Sequence, residues 1–131
     1  MRRIITTEKA PKAIGPYSQA IACAAGELVF TSGQIPLDPI SMEIVSEDVT
    51  LQTRQVIENL KAVLSEAGCA LTDVIKTTIF LKNMDDFASV NAEYGKAFAL
   101  NPPARSTVEV SRLPKNVKIE IEAIAIGSSR S

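Results

Sequence analysis

The feature that most constrains the fold is an alternation of apolar and polar residues near the C-terminus, from Val117 to Ile126. One side of this stretch carries Val117, Ile119, Ile121, Ala123 and Ala125, and the other begins with Lys118, Glu120 and Glu122. Such alternation is typical of a β-strand with one buried face. A β-branched run from Ser106 to Val110 precedes it, across a polar break at 111–116. The two runs therefore predict an antiparallel hairpin.

The predicted hairpin brings positive and negative side chains together. Arg105 and Thr107 share one side of the first strand, and pairing would set them opposite the region of Glu120 and Glu122. Cross-strand neighbours lie ~4.5–5.5 Å apart at Cβ, and diagonal ones ~7–8 Å apart. A guanidinium fork matches a carboxylate ligand, while a free glutamate holds a water or moves a proton. The pattern alone somewhat favours the alternative, a surface ion pair worth ~0–1 kcal/mol, and leaves open which glutamate would act.

The absence of histidine restricts the available chemistry. It excludes a Ser-His-Asp or Cys-His nucleophile and an imidazole-ligated metal, so acid–base groups must come from other side chains. The net charge of −1, with no basic block, gives little support to nucleic-acid binding. Cys23 and Cys69 form neither a zinc motif nor a redox motif, and we expect two free, mostly buried thiols.

The length of 131 residues predicts a single domain over 1–131. The N-terminal residues 1–19 contain two arginines but no long apolar run, unlike a signal peptide or a membrane span. We therefore expect a soluble, cytoplasmic protein that contacts no membrane and no nucleic acid.

The remaining periodicity predicts helices between strands. Short strands are expected at 3–6, 20–25 and 27–31, helices at 48–67 and 86–100, and a further strand at 74–82. Ser46 or Asp48 can cap the first helix, and Gly68 can end it. This order predicts an α+β fold with a mixed, mostly antiparallel sheet and both helices on one face. The uncovered face carries Ile124 and Ile126 beside the glutamates, which predicts contact with another copy of the chain.

Three polar positions outside the hairpin are further candidates for a site. Tyr17 follows a stiff Gly-Pro pair, Gly33 follows Ser32 at a strand end, and Asn91 lies on the edge of a helical apolar stripe. Each also has a more common structural role. Tyrosine usually packs its ring, glycine in such a place usually makes a bulge or turn, and a helical asparagine usually bonds nearby backbone.

Six segments, in order along almost the whole chain, resemble the RidA/YjgF family. They are AIGPYSQA (13–20), FTSGQIPL (30–37), TRQVIENLKAVLSEAG (53–68), DFASVNAEYG (86–95), PPARSTVEVSRLPK (102–115) and VKIEIEAIA (117–125). The resemblance implies a chorismate-mutase-like α+β fold and a homotrimer with clefts between subunits. It also implies hydrolysis of 2-imino acids, chiefly 2-iminobutanoate and 2-iminopropanoate, to 2-oxo acids and ammonia, without a metal or cofactor.

The resemblance also implies roles for individual residues. It identifies Arg105 as the carboxylate-binding arginine and selects Glu120, rather than Glu122, as the water-holding glutamate. The family's other cleft residues fall on Tyr17, Ser32, Gly33 and Asn91.

One departure from the family pattern affects the expected activity. Many active members have cysteine where this chain has Thr107, whose hydroxyl can donate a hydrogen bond but is not a thiol. This departure strengthens an alternative function, a module that binds a 2-oxo acid or amino acid with little turnover. Ribonuclease or translation-inhibitor activity is disfavoured by the neutral charge and the missing histidine, and chorismate-mutase activity would follow from fold analogy alone.

Overall fold

The computed structural model describes residues 2–127, which form six strands, two α-helices and three short 3₁₀ turns. The elements are β1 (Arg2–Ile5), β2 (Ala20–Cys23), β3 (Glu27–Phe30), α1 (Val49–Glu66), β4 (Val74–Leu81), α2 (Phe87–Ala97), β5 (Ala104–Glu109) and β6 (Ile119–Gly127). The 3₁₀ turns lie at Leu71–Asp73, Met84–Asp86 and Pro114–Asn116. This succession confirms the predicted order of strands and helices.

The main sheet has four strands in the order β3-β6-β4-β5. Strand β6 is antiparallel to both of its neighbours, whereas β4 and β5 are parallel. Strands β1 and β2 pair separately as a two-stranded antiparallel ribbon. The sheet is therefore mixed and mostly antiparallel, as predicted.

The predicted hairpin between β5 and β6 is wrong, because β4 lies between these strands. Strand β4, helix α2 and strand β5 form a strand–helix–strand unit, and parallel strands need a crossover of this kind. The alternation in β6 identifies its buried face but carries no information about its neighbour. Burial of alternate residues in β4 lets that strand take the central position beside β6.

Both helices pack on the same face of the main sheet, as predicted. The shared core comprises Val56, Leu60, Leu64, Val74, Ile79, Leu81, Val90, Tyr94, Phe98, Ile119, Ile121, Ala123 and Ala125, together with Cys69. Asp48 caps α1 by accepting a hydrogen bond from the backbone N–H of Leu51 at 2.9 Å. Gly68 follows the helix with a φ of 79°, a conformation that glycine adopts without strain.

The opposite face of the sheet is not covered by the helices and is partly apolar. Leu28 and Phe30 on β3 are 54% and 67% exposed, while Ile124 and Ile126 on β6 are half-buried. We call this surface, with Glu120 and Glu122 of the same strand, the open face.

The two cysteines occupy different environments. Cys69 is buried as expected, but Cys23 is exposed at the end of the edge strand β2. The expectation of two mostly buried thiols is therefore wrong for Cys23. Among residues 2–127, neither helix combines the length and the apolar character that crossing a bilayer requires.

Candidate functional site

Arg105 on β5 points toward the helices. It lies in register with Thr77 on β4, a fully buried residue that faces the core. Helix α2 meets Arg105 with Phe87, Asn91 and Tyr94, whose spacing of four and three residues puts them on one side of the helix. The Nη1 group of Arg105 donates a hydrogen bond to Asn91 Oδ1 at 2.7 Å.

Three aromatic rings surround the guanidinium of Arg105. Its Cζ atom lies 5.2 Å from the ring centroid of Tyr17, 5.5 Å from that of Phe87 and 5.2 Å from that of Tyr94. These distances are typical of cation–π contacts. Burial lowers the pKa of Arg105, and the neighbouring tyrosines oppose that shift only in part.

Arg105 has no acidic partner within residues 2–127. The ion pairs of this part of the chain involve the basic residues Arg54, Lys61 and Lys96. A half-buried guanidinium held by one amide oxygen and three rings retains donors for an external anion. Its planar fork matches the two oxygens of a carboxylate.

Tyr17 is held beside Arg105 by the local backbone. The N–H of Tyr17 donates to the carbonyl of Gly15 at 2.8 Å, and the N–H of Ile14 donates to the Tyr17 hydroxyl at 3.3 Å. The next residue, Ser18, donates through its N–H to the carbonyl of Pro103 at 3.0 Å. This bond ties the segment to the start of β5 and fixes the ring next to the guanidinium.

Thr107 lies two residues after Arg105, on the same side of β5. Its Oγ1 atom is buried and has no hydrogen-bond partner among residues 2–127. A buried polar group left unpaired costs ~1–3 kcal/mol. The Thr107 hydroxyl therefore retains unused hydrogen-bonding capacity two residues from Arg105.

Glu120 lies against Gly33 on the open face. A Cβ atom built on Gly33 would be 2.7 Å from Cδ of Glu120 and 2.9 Å from its Cγ, with Oε2 closer still. The segment that follows β3 runs beside β6, because the N–H of Gln34 donates to the carbonyl of Ile121 at 2.8 Å, and this bond holds Gly33 next to Glu120. Burial raises the pKa of Glu120, and the negative charge of Glu122 raises it further.

The candidate residues thus form two groups on opposite faces of the sheet. Arg105 is in register with Thr77 of β4, and Glu120 with Phe80 of the same strand. Thr77 and Phe80 are three residues apart, an odd number, so their side chains point to opposite faces. The expectation that Arg105 and Glu120 share one space within the chain is wrong.

The first group comprises Tyr17, Asn91, Arg105 and Thr107, and the second comprises Ser32, Gly33 and Glu120. Phe87 and Tyr94 were not among the predicted site residues, because both fall on the apolar stripe of α2 that borders Asn91 and that the sequence predicts to be core. A signal was present, because Tyr94 carries a phenol on that stripe and stands three residues after Asn91. A buried phenol needs a hydrogen-bond partner, so a tyrosine on an apolar stripe indicates that polar groups lie nearby.

Comparison with known proteins connects this arrangement to a family. The family model described as endoribonuclease L-PSP matches residues 7–127. A RutC family protein of Pyrococcus horikoshii is 59% identical over 125 residues, which cover 95% of this chain and 98% of that protein. The chain belongs to the RidA/YjgF family.

Two other members of the RidA/YjgF family have names that bear on function. A protein of Salmonella typhimurium named 2-iminobutanoate/2-iminopropanoate deaminase is 54% identical over 129 residues, covering 96% of this chain and 98% of its own length. The crystal structure of E. coli TdcF with bound serine has a TM-score of 0.73 and 47% identity. That match covers 96% of this chain and 99% of TdcF.

Proposed function

We propose that this protein hydrolyses 2-imino acids, chiefly 2-iminobutanoate and 2-iminopropanoate, to 2-oxo acids and ammonia. The observation that carries the proposal is the half-buried guanidinium of Arg105, which has no acidic partner within residues 2–127. The deaminase name of the Salmonella relative and the serine bound to TdcF support a ligand with a carboxylate on an amino-acid skeleton.

In this proposal Arg105 binds the substrate carboxylate and orients the C=N carbon. The unpaired hydroxyl of Thr107 donates a second hydrogen bond to the substrate, and Tyr17 closes one side of the site. Water adds to the C=N carbon, and the resulting carbinolamine expels ammonia to leave the 2-oxo acid. Glu120 takes one proton from the attacking water and passes it to the imine nitrogen, and then moves the hydroxyl proton of the carbinolamine to the departing nitrogen, so that both water protons leave in ammonia.

The proposal requires more than one copy of the chain. Arg105 and Glu120 lie on opposite faces of one sheet, so a substrate that contacts both would take Arg105 from one subunit and Glu120 from another. The partly apolar open face provides a surface for such contact. We propose a homotrimer in which each cleft combines the Arg105 group of one subunit with the Gly33–Glu120 group of its neighbour.

Two single variants test the chemistry. We expect Arg105→Ala to abolish imine hydrolysis while the fold persists, because the clamp is lost but the core is untouched. Glu120→Gln should lower turnover by ~10²–10⁴-fold, the usual contribution of an acid–base group. The measurement is ammonia release from freshly generated 2-iminobutanoate, and full activity of Arg105→Ala would refute carboxylate binding by Arg105.

Mixing the same two variants tests the shared cleft. We expect at most about a hundredth of the activity from either variant alone, whereas a cleft with Arg105 from the Glu120→Gln subunit and Glu120 from the Arg105→Ala subunit is intact. After unfolding and joint refolding at equal amounts, about a quarter of the clefts should be intact if subunits associate at random. No recovery of activity in verified mixed oligomers would contradict a cleft shared between copies.

The alternative is a module that binds a 2-oxo acid or amino acid with little turnover, and Thr107 in place of the common cysteine favours it. Both functions require binding to Arg105, so binding alone does not separate them. Binding of 2-oxobutanoate without faster ammonia release than in the protein-free control would support the module. RNA cleavage is disfavoured because the chain has a net charge of −1 and no histidine.

A further inference from the structure

Tyr94 has no role in the function proposed above, yet it makes the most constrained contact with Arg105. Its side chain is fully buried, and its hydroxyl lies 2.7 Å from Thr77 Oγ1. Its ring stacks on Phe98 with a centroid distance of 4.5 Å and an interplanar angle of 29°. The contacts with Thr77 and Phe98 hold the Tyr94 ring in place against the guanidinium.

The partner of the Tyr94 hydroxyl links helix α2 to the strand that carries Arg105. Thr77 on β4 is the residue in register with Arg105 on β5. Helix α2 is therefore tied, through Tyr94 and Thr77, to the sheet directly beside the arginine. Phe87 and Tyr17 also contact Arg105, but both are only half-buried, and the Tyr17 hydroxyl bonds to the backbone of its own segment rather than to β4.

We propose that Tyr94 is a positioning residue that holds the guanidinium of Arg105 in its anion-binding orientation. The guanidinium has one hydrogen-bond acceptor within residues 2–127, Asn91 Oδ1, which leaves a long, flexible side chain free to pivot about that bond. The face of the Tyr94 ring, 5.2 Å from Cζ, removes this freedom before a ligand arrives. A carboxylate then binds without the cost of ordering the arginine.

The protonation of Tyr94 agrees with a positioning role. Burial raises the pKa of Tyr94 to about 12, and the contacts with Thr77 and Arg105 offset this only in part. The phenol stays neutral at neutral pH, so Tyr94 acts there through its ring and not as a base.

The experiment compares ring removal beside Arg105 with ring removal one step away. Tyr94→Leu removes the face that contacts the guanidinium, Tyr94→Phe keeps the ring and its stack on Phe98, and the control Phe98→Leu removes a buried core ring that stacks on Tyr94 and is not one of the three rings around Arg105. Calorimetry with 2-oxobutanoate should show binding weakened about tenfold by Tyr94→Leu and changed less than threefold by the other two variants. Equal affinity of Tyr94→Leu and Phe98→Leu would overturn the proposal, and so would a Tyr94→Leu that binds as tightly as the unaltered chain.

A second measurement uses the unaltered chain and remains available if Tyr94→Leu does not fold. The Nε–H signal of Arg105 in nuclear magnetic resonance should be shifted by the rings and distinct from those of exposed arginines. A signal averaged to the position of a freely rotating arginine would overturn the proposal.

The inference rests on the anion site of the proposed function but fails separately from it. If the unaltered chain binds 2-oxobutanoate through Arg105 but releases no ammonia, the hydrolase function fails and the role of Tyr94 is still measured. If it hydrolyses imines and Tyr94→Leu keeps full affinity, only the role of Tyr94 fails.

Discussion

Replacement of Gly33 by alanine would displace the carboxylate of Glu120 without disturbing the backbone. The new Cβ would be 2.7 Å from Cδ of Glu120, whereas ordinary contact begins at 3.4 Å. The carboxyl carbon must therefore retreat by at least about 0.7 Å, and Oε2, which is nearer still, must move further. Gly33 is not among the residues with positive φ, so alanine fits the local conformation.

The expected result is a loss of activity with little loss of stability. The displaced atoms are the end of a flexible side chain, and we expect the free energy of unfolding to change by less than about 1 kcal/mol. A misplacement on the order of 1 Å in a catalytic group can lower the rate about 10²-fold. We therefore expect Gly33→Ala to lower kcat/KM for 2-iminobutanoate by about two orders of magnitude.

The matched control is Gly95→Ala in α2. A Cβ at Gly95 would meet Pro16 at 3.7 Å, an ordinary contact, and Glu120 is not among its neighbours. In a helix interior this change stabilises by ~0.5–1 kcal/mol and should leave kcat/KM within twofold. Ammonia release and urea unfolding measure both variants. Full activity of Gly33→Ala would refute the placement of Glu120 in the reaction, and equal losses in both variants would show a nonspecific effect.

Two further predictions concern pH and stability. Glu120 has a raised pKa and loses its charge as the pH falls through it, so Glu122→Gln should move the acidic limb of the kcat/KM profile to lower pH. The limb should stay above that of an ordinary carboxyl, because burial is the larger cause, and an unmoved limb would contradict the coupling. Asp48→Ala removes the cap of α1 and should cost ~1 kcal/mol in urea unfolding, whereas an unchanged midpoint would show that water replaces the cap.

Local patterns predicted the elements of the fold well. Helix α1 was expected over 48–67 and spans Val49–Glu66, because its apolar period and the cap at Asp48 are encoded within the segment. The apolar face of α1 was predicted less accurately, because its period includes Val63, which is 40% exposed, and omits Ile57 and Thr53, which are buried. The apolar period of a helix identifies which face is buried, but the elements packed against that face decide which residues at its edges are covered.

The strand order was not predictable from the same patterns. An alternating strand such as β6 shows which of its residues are buried, and any strand of similar character can lie beside it. The unit formed by β4, α2 and β5 was visible in the predicted elements, but its parallel pairing leaves the second edge of β5 open to β6, so the pairing alone does not exclude the hairpin.

The sequence named candidate residues for a site but predicted the wrong arrangement for them. The wrong hairpin placed Arg105 beside both Glu120 and Glu122, and the likeness to the family then selected Arg105 and Glu120. Tyr94 and Phe87 escaped attention because rings on an apolar helical stripe usually belong to the core. Their contact with Arg105 depends on the crossover that brings α2 over β5, which no local pattern encodes.

The opposite orientation of Arg105 and Glu120 has a consequence for concentration. A ligand as small as an imino acid does not reach around a sheet, so an isolated chain offers it only half of the groups proposed here. Specific activity should therefore decline on dilution below the subunit dissociation constant, even while every chain stays folded. A subunit with an altered Arg105 or Glu120 would inactivate a cleft that it shares with its neighbour, so the measured activity would depend on the state of the whole oligomer.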